Sequence, residues 1–236
     1  MHSDAPEQLP LPLGHVTARG VEDFLVATSN RLAVEWIDRW PDWPFPVLVI
    51  VGPRGSGKTH LSGLWRARAD AEPIDLGRSG LEHAMQTVAT GHPVLIDNCD
   101  RAAGDPEAEL ALLQLYNLLR AAGGQLLMTA TRPPSNWPLH LPDLSSRLNS
   151  AMIVPIDPPD DALLGAVAVK LFADRQLRVS KRVILYLLSH GERSFAGIAR
   201  AVDSLDRASL AGRREITEHL ARDVLGWTER KDFPLR

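Results

Sequence analysis

Apolar residues fall along this chain in short unbroken runs separated by amphipathic stretches, the rhythm of a parallel sheet covered by helices. The runs Val47 to Val51, Pro93 to Ile96, Gln125 to Ala130 and Met152 to Pro155 read as buried strands, and Pro73 to Leu76 as a shorter one. Helical spacing fills the gaps. Asn30 is placed to cap a helix in which Leu32, Trp36 and Trp40 share a face, a stripe better suited to core packing than to stacking on bases. Thr59 to Ala69, Gly80 to Ala89 and Glu107 to Ala122 follow as helices, the last with Leu110, Leu113, Leu115, Leu118 and Leu119 on its apolar face and Gly123-Gly124 at its end.

After the last strand the pattern changes. Asp157-Pro158-Pro159-Asp160-Asp161 is a stiff connector, and beyond it the period is helical throughout, at roughly 160–174, 180–189, 194–208 and 215–225. The expected organisation is an extended Pro-rich leader over 1–20, an α/β base over 21–157, a small all-helical lid over 158–226 and a loose charged tail over 227–236. A chain of 236 residues suits one such base with one appendage.

Composition narrows the chemistry. A net charge of −3 argues against gripping nucleic acid by general electrostatics. The single cysteine, Cys99, cannot close an intramolecular disulfide and reads as packing, and no signal peptide or membrane-length apolar run is evident, so a cytoplasmic location is expected. Eight scattered histidines with no metal-ligand spacing leave a nucleotide's own Mg²⁺ as the expected metal.

The chemistry-bearing stretch is Gly52-Pro53-Arg54-Gly55-Ser56-Gly57-Lys58-Thr59, set between a strand and a helix. Glycines there let backbone N–H groups turn toward phosphate oxygens, and the helix N-terminus adds its dipole. Lys58 would reach the β- and γ-phosphates, Thr59 would hold Mg²⁺, and His60 belongs to the same nucleotide-binding set; the alternative is a structural Gly-rich turn. Asp97, at the carboxyl end of its strand, is the expected metal-side acid, with Thr59 as its partner ligand. Asn98 follows it, and an amide can orient water but cannot accept a proton, so slow intrinsic hydrolysis is expected. Thr131 ends the next strand, beside a γ-phosphate if that strand neighbours the cradle strand, or else as a turn former. Arg147 is either a solvated charge or an arginine finger aimed at a neighbouring subunit's phosphate site. Near the start, Gln8-Leu9-Pro10-Leu11-Pro12-Leu13 offers apolar anchors and an amide on a backbone pre-extended by proline, a peptide suited to a partner's groove unless its leucines pack on the chain's own domain.

The hexapeptide Gln8 to Leu13 resembles the peptide by which bacterial proteins dock on the replication sliding clamp. From there to about Leu225 the chain resembles the AAA+ core of the replication initiator DnaA, and more closely the Hda/HdaA family of regulators related to it. The pieces occur in the family's order: Phe24 to Asn30, Gly52 to Thr59, Leu95-Ile96-Asp97-Asn98, Leu115-Tyr116-Asn117, Thr129 to Pro134, Ser146-Arg147-Leu148 and Leu205 to Ser209.

This resemblance implies an α/β fold of AAA+ P-loop type: a five-stranded parallel sheet base with a small all-helical lid. It further implies ADP or ATP as cofactor with Mg²⁺, adenine near Leu25, Val26 and Asn30, and Arg147 as a finger acting in trans. The implied partners are DnaA and, through Gln8, Leu9, Leu11, Pro12 and Leu13, the DNA polymerase III β sliding clamp. Self-association stays open, and neither a membrane nor strong direct DNA binding is expected, since the matching stretch ends before any helix-turn-helix. The implied role is a clamp-tethered negative regulator that stimulates hydrolysis by the initiator. Its rivals are an autonomous DnaA-like or helicase-loader-like ATPase acting on DNA and, more remotely, a small-molecule kinase. Two departures from the family's pattern stand out: Asn98 replaces its second acid, and in the lid Ala196 sits at the place of its nucleotide-sensing arginine, with Arg193 and Arg200 as off-register substitutes.

Overall fold

The structure, a computed structural model, describes residues 17–18, 25–76 and 78–227. Gln8, Leu9, Leu11, Pro12 and Leu13, and with them the leader, lie outside the described residues, as does the tail beyond Trp227. By contact density the described chain forms two compact bodies, a base of residues 28–159 and a lid of residues 160–227 joined by 17–18 and 25–27.

The first strands, β1 (Thr17–Ala18) and β2 (Leu25–Val26), form a two-stranded antiparallel ribbon in the lid body. The base then alternates helix and strand: α1 (Arg31–Asp38), β3 (Val47–Val51), α2 (Lys58–Ala69), β4 (Glu72–Pro73), α3 (Arg78–Ala89), β5 (Val94–Ile96), α4 (Pro106–Ala122), β6 (Leu126–Ala130), α5 (Pro142–Asn149) and β7 (Met152–Pro155). Its five strands form a parallel sheet in the order β4-β5-β6-β3-β7. β3 and β6 lie in the sheet interior with helices on both faces, so every position from Val47 to Ile50 and from Leu126 to Ala130 is buried. That is why they read as continuous apolar runs.

Two helix faces differ from the expected ones. In α4 the buried positions include Leu112 and Leu115, whereas Leu110 is 49% exposed. Glu109 takes the inward place beside it because its carboxylate has buried donors to meet. In α1 the core face is Ala33, Val34 and Ile37, and Leu32 is 45% exposed. The tryptophans do pack, as structural aromatics: Trp43 stacks on Trp65 at 5.5 Å, Trp40 meets Trp65 edge-on at 6.3 Å, and Trp36 tilts against Phe45 at 5.2 Å. Asn30 is the residue preceding α1, where its carbonyl accepts the Val34 N–H, but its side chain makes no capping bond. The short strand near Pro73 is confined to Glu72–Pro73 at the sheet edge, although Ile74 still donates its N–H to the Leu95 carbonyl at 2.8 Å.

The lid packs α6 (Asp161–Asp174), α7 (Lys181–His190), α8 (Phe195–Gly212) and α9 (Glu218–Leu225) round Phe172, Leu187, Val202 and Leu205. Asp160, Ser194 and Thr217 cap α6, α8 and α9 by accepting N–H groups of Leu163, Gly197 and Leu220. Trp227, expected in the loose tail, instead stacks on Tyr186 at 5.9 Å and accepts its hydroxyl through the backbone carbonyl. Among the described residues no helix is long and apolar enough to cross a membrane.

Leu115 is wholly buried and Leu110 half exposed. Leu115→Ala should therefore cost about 2–5 kcal/mol and Leu110→Ala no more than about 0.5 kcal/mol, measured by urea unfolding. Equal costs would contradict this assignment of the α4 face.

Candidate functional site

The site grows from strand register. Ile50 pairs with Thr129 and Val51 with Ala130 across β3 and β6, while Ile96 pairs with Met128 across β5 and β6. Three neighbouring strands therefore end together, delivering the Gly52 loop, Thr131 and Asp97 to one edge, where parallel sheets carry their ligand sites.

Gly52 begins the loop under close constraint. Its N–H donates to the Ala130 carbonyl at 3.1 Å, and a Cβ there would stand 2.2 Å from the Ile156 carbonyl oxygen. Gly55 and Gly57 hold φ of 78° and 97°, a region that admits glycine without strain. Ser56 is buried, with its hydroxyl oxygen lacking a hydrogen-bond partner. Lys58 Nζ donates to the Gly52 and Pro53 carbonyls at 2.7 and 2.8 Å, folding its ammonium back across the loop. Burial holds the Lys58 pKa below its ordinary value, and the charges of Asp100 and Asp97 act against that shift. A cradle that excludes side chains, a buried hydroxyl without a partner and a cation at its centre fit a nucleotide's phosphates.

Asp97 is the hub. Its Oδ2 accepts from Thr59 Oγ1 and from Asn98 Nδ2, both at 3.0 Å, and its Oδ1 accepts from the Thr129 hydroxyl. Thr129 in turn accepts the Asn98 N–H at 2.9 Å, and Asn98 itself sits in the left-handed region with φ of 54°. A carboxylate touching the Thr59 hydroxyl at the cradle's edge suits a nucleotide-bound Mg²⁺. Thr131 ends the strand next to β3, as the expectation required, but its N–H and hydroxyl are both donated to Asp100 Oδ2, the N–H at 3.0 Å. Arg54 and His60 are exposed members of the loop and of the first turn of α2. Leu25 and Val26 lie in the lid body, whereas Asn30 is a buried residue of the base.

Three residues escaped the sequence reading. Thr129 is two positions before Thr131, and Asp100 three after Asp97 in a single turn of 3₁₀ helix over Cys99–Arg101. The acid excluded at position 98 is thus present nearby at position 100. Cys99 is buried as expected, and burial pushes its thiol pKa up, which keeps it protonated and inert. The third is Glu109, wholly inaccessible, which accepts N–H groups of Gly104 and His140 at 2.9 Å and Leu141 at 3.0 Å, with His140 Nδ1 at 3.3 Å. It anchors the segment that leads into α5.

On α5, Arg147 is half-buried. Its Nη2 donates to Asp143 at 3.3 Å, its guanidinium lies 5.7 Å over the Tyr116 ring, and its Nε is buried without a partner. In the lid, Ala196 is exposed on the first turn of α8, and the two candidate substitutes are engaged: Arg193 pairs with Asp161 at 2.9 Å and Arg200 with Glu192. No group of histidines, cysteines or acids able to hold a metal ion by itself occurs among the described residues.

A family model described as the Hda lid domain matches residues 167–225. The lid of this chain is thus of the Hda type. An uncharacterized protein of Haemophilus influenzae is 27% identical over 228 residues, covering 93% of this chain and 98% of that one. Domain III of the Thermotoga maritima replication initiation protein DnaA superposes with a TM-score of 0.71 at 19% identity, over 86% of this chain and 93% of that one. AMPPCP-bound DnaA from Aquifex aeolicus gives 0.66 at 20% identity over 80% of this chain, which spans only 65% of that protein. The Hda-like chain therefore has the AAA+ fold: a five-stranded parallel sheet base and a helical lid.

The Glu109 carboxylate illustrates how this site responds to acid. Burial alone would raise its pKa, but the N–H groups of Gly104, His140 and Leu141 and the His140 ring outweigh burial and hold it below the usual glutamate value. A depressed folded pKa contributes stability above the unfolded value of about 4.3, and that contribution is lost as pH falls through the folded value. Glu109→Gln should therefore lower the melting temperature at neutral pH, with the gap to the unsubstituted protein closing progressively below about pH 4. A gap independent of pH would show that the charge of Glu109 does not matter.

Proposed function

We propose that this Hda-like protein is a clamp-tethered negative regulator of replication initiation that stimulates ATP hydrolysis by DnaA and so converts the initiator to its inactive ADP form. The observation that carries this reading is the union of an Hda-type lid with a base whose α5 presents Arg147 apart from the chain's own phosphate cradle in sequence and in hydrogen bonding. An arginine supplied in trans neutralises charge that develops during phosphoryl transfer and can be worth about 10³ to 10⁵ in rate.

The chain's own pocket suits holding ADP or ATP. Gly52, Gly55 and Gly57 shape the cradle, Ser56 and Lys58 would meet the phosphates, and Thr59 with Asp97 would hold Mg²⁺, which shields phosphate charge when bound. Support for a nucleotide comes from the AMPPCP-bound relative. Asn98 spends its amide N–H on Asp97 and supplies no base, so intrinsic turnover is slow. Gln8, Leu9, Leu11, Pro12 and Leu13 tether the molecule to the sliding clamp, which raises its effective concentration beside the initiator.

A second reading, an autonomous ATPase acting on DNA, has one observation in its favour. Asp100 places a carboxylate within electrostatic reach of Lys58, so the pocket does contain an acid besides Asp97.

The test is single-turnover hydrolysis of ATP by purified DnaA in the presence of clamp-loaded DNA. Arg147→Ala should abolish most of the stimulation, a loss of about 10³-fold or more, while leaving the nucleotide affinity of this chain unchanged. Gln8→Ala should weaken stimulation at low protein concentration and be rescued at high concentration. Full stimulation by both variants sinks the proposal. Brisk DNA-stimulated ATPase by the chain alone, lost in Asp100→Asn, establishes the second reading instead.

A further inference from the structure

The lid holds a groove of about 940 Å³ that the nucleotide chemistry leaves unused. It is bounded by the α6–α7 connection, the start of α7, the end of α8 and the α8–α9 connection, all within the lid body. Part of its lining is apolar: Leu177 and Val179 are half-buried, Ile216 is buried, and Leu210 is 70% exposed, the most exposed large hydrophobic residue among those described. The charged part of the rest is mostly cationic, among neutral polar side chains and His219. Arg178, Arg182, Arg213 and Arg214 line it, all exposed, against two acids, Glu215 and Glu218. Glu218 is already taken by Arg222 at 2.7 Å.

What distinguishes these four arginines is the absence of partners. Elsewhere in the lid, arginine side chains are engaged: Arg175 pairs with Asp203, Arg193 with Asp161, Arg200 with Glu192 and Arg222 with Glu218, and Arg207 donates to the Asp203 backbone carbonyl at 3.2 Å. None of the four groove arginines has an acidic partner among the described residues. The turn that carries two of them is fixed. Ser209 Oγ donates to the Arg214 carbonyl at 2.6 Å, the Arg214 N–H returns to the Ser209 carbonyl at 3.2 Å, and Arg213 holds the left-handed conformation with φ of 46°. Concentrated positive charge on a chain of net charge −3, beside an exposed leucine, marks a surface shaped for something anionic and apolar together.

We propose that this groove docks an acidic, leucine-containing peptide segment of a partner protein. Its carboxylates would pair with Arg178, Arg182, Arg213 and Arg214, and its apolar side chains would cover Leu210 and rest on Leu177, Val179 and Ile216. Nucleic acid is the poorer occupant. A phosphate backbone has nothing to lay on that aliphatic surface, no tryptophan, tyrosine or phenylalanine lines the groove for base stacking and His219 is its one ring, and the acidic balance of the whole chain repels a polyanion. The inference is independent of the role given to Arg147.

Fluorescence anisotropy on the full chain tests it, using a short fluorescein-labelled peptide that alternates Glu and Leu. The unsubstituted protein should bind, and binding should weaken with added salt. Arg178→Glu with Arg214→Glu should lose about tenfold or more in affinity, the charge-keeping pair Arg178→Lys with Arg214→Lys should retain most of it, and Leu210→Ser should weaken binding severalfold. Arg147→Ala should bind as the unsubstituted protein does. Circular dichroism checks that the exposed substitutions leave the lid folded. Absence of peptide binding, equal binding by the charge-reversed protein, or tighter arginine-dependent binding of a single-stranded oligonucleotide would each overturn the proposal.

Discussion

The whole site depends on the hydrogen bonds that converge on Asp97. The Thr129 hydroxyl donates to this carboxylate while accepting the Asn98 N–H, so a single side chain of the central strand both orients the acid and closes the turn that follows it. Register makes this work. With Ile96 beside Met128, the next residue of each strand, Asp97 and Thr129, stands level, and with Ile50 beside Thr129 the cradle begins two residues further on. A slip of one residue in β6 would turn Thr129 to the other face of the sheet and leave Asp97 without that donor. Burial of β3 and β6 on both faces makes such a slip costly, because both strands are apolar at almost every position and packed at every one. The hydrophobic sheet thereby sets the geometry of a polar site built along its edge.

Charge balance is the second constraint. A buried ammonium such as that of Lys58 loses hydration, and the neighbouring carboxylates of Asp97 and Asp100 offset part of the loss. Asn98 lies between those two acids in sequence. A third carboxylate there would add repulsion to a pocket that must also admit phosphates, whereas the amide instead donates a hydrogen bond to Asp97. The substitution that weakens proton abstraction thus also quiets the electrostatics of the site.

How much of this was legible in the residues follows from how local each feature is. The cradle was legible because Gly52 to Thr59 is contiguous and its glycines answer to backbone conformation alone. The strands were legible because continuous apolar runs have few other uses. Thr129, Asp100 and Glu109 were not, since each acts through a partner some 30 residues away, and nothing in a single sequence tells a polar residue in a buried strand from one awaiting a mate. Helix faces were read to within one position: apolar spacing put Leu110 inward, but a buried carboxylate with three backbone donors claims that side of α4 at Glu109. The same blindness hid Tyr116, which only the packing of α4 against α5 brings under Arg147.

That last contact bears on what a finger must do. A side chain offered to another molecule has to be held near its working position, or the entropy of ordering it is charged against the transition state. Arg147 is held, but lightly. Its partner Asp143 is largely solvated, the bond is 3.3 Å long, and such i,i+4 pairs contribute only about 0.2–0.5 kcal/mol. The buried Nε without a partner adds no anchor and favours a move toward a new acceptor. The firm anchoring is instead upstream, where Glu109 gathers the backbone of His140 and Leu141 and so fixes the entry to α5. Rigidity in the helix with slack in the guanidinium is the combination that the finger role proposed for Arg147 requires: the backbone is ordered on folding, and only a weak surface pair would have to break before a phosphate could take its place.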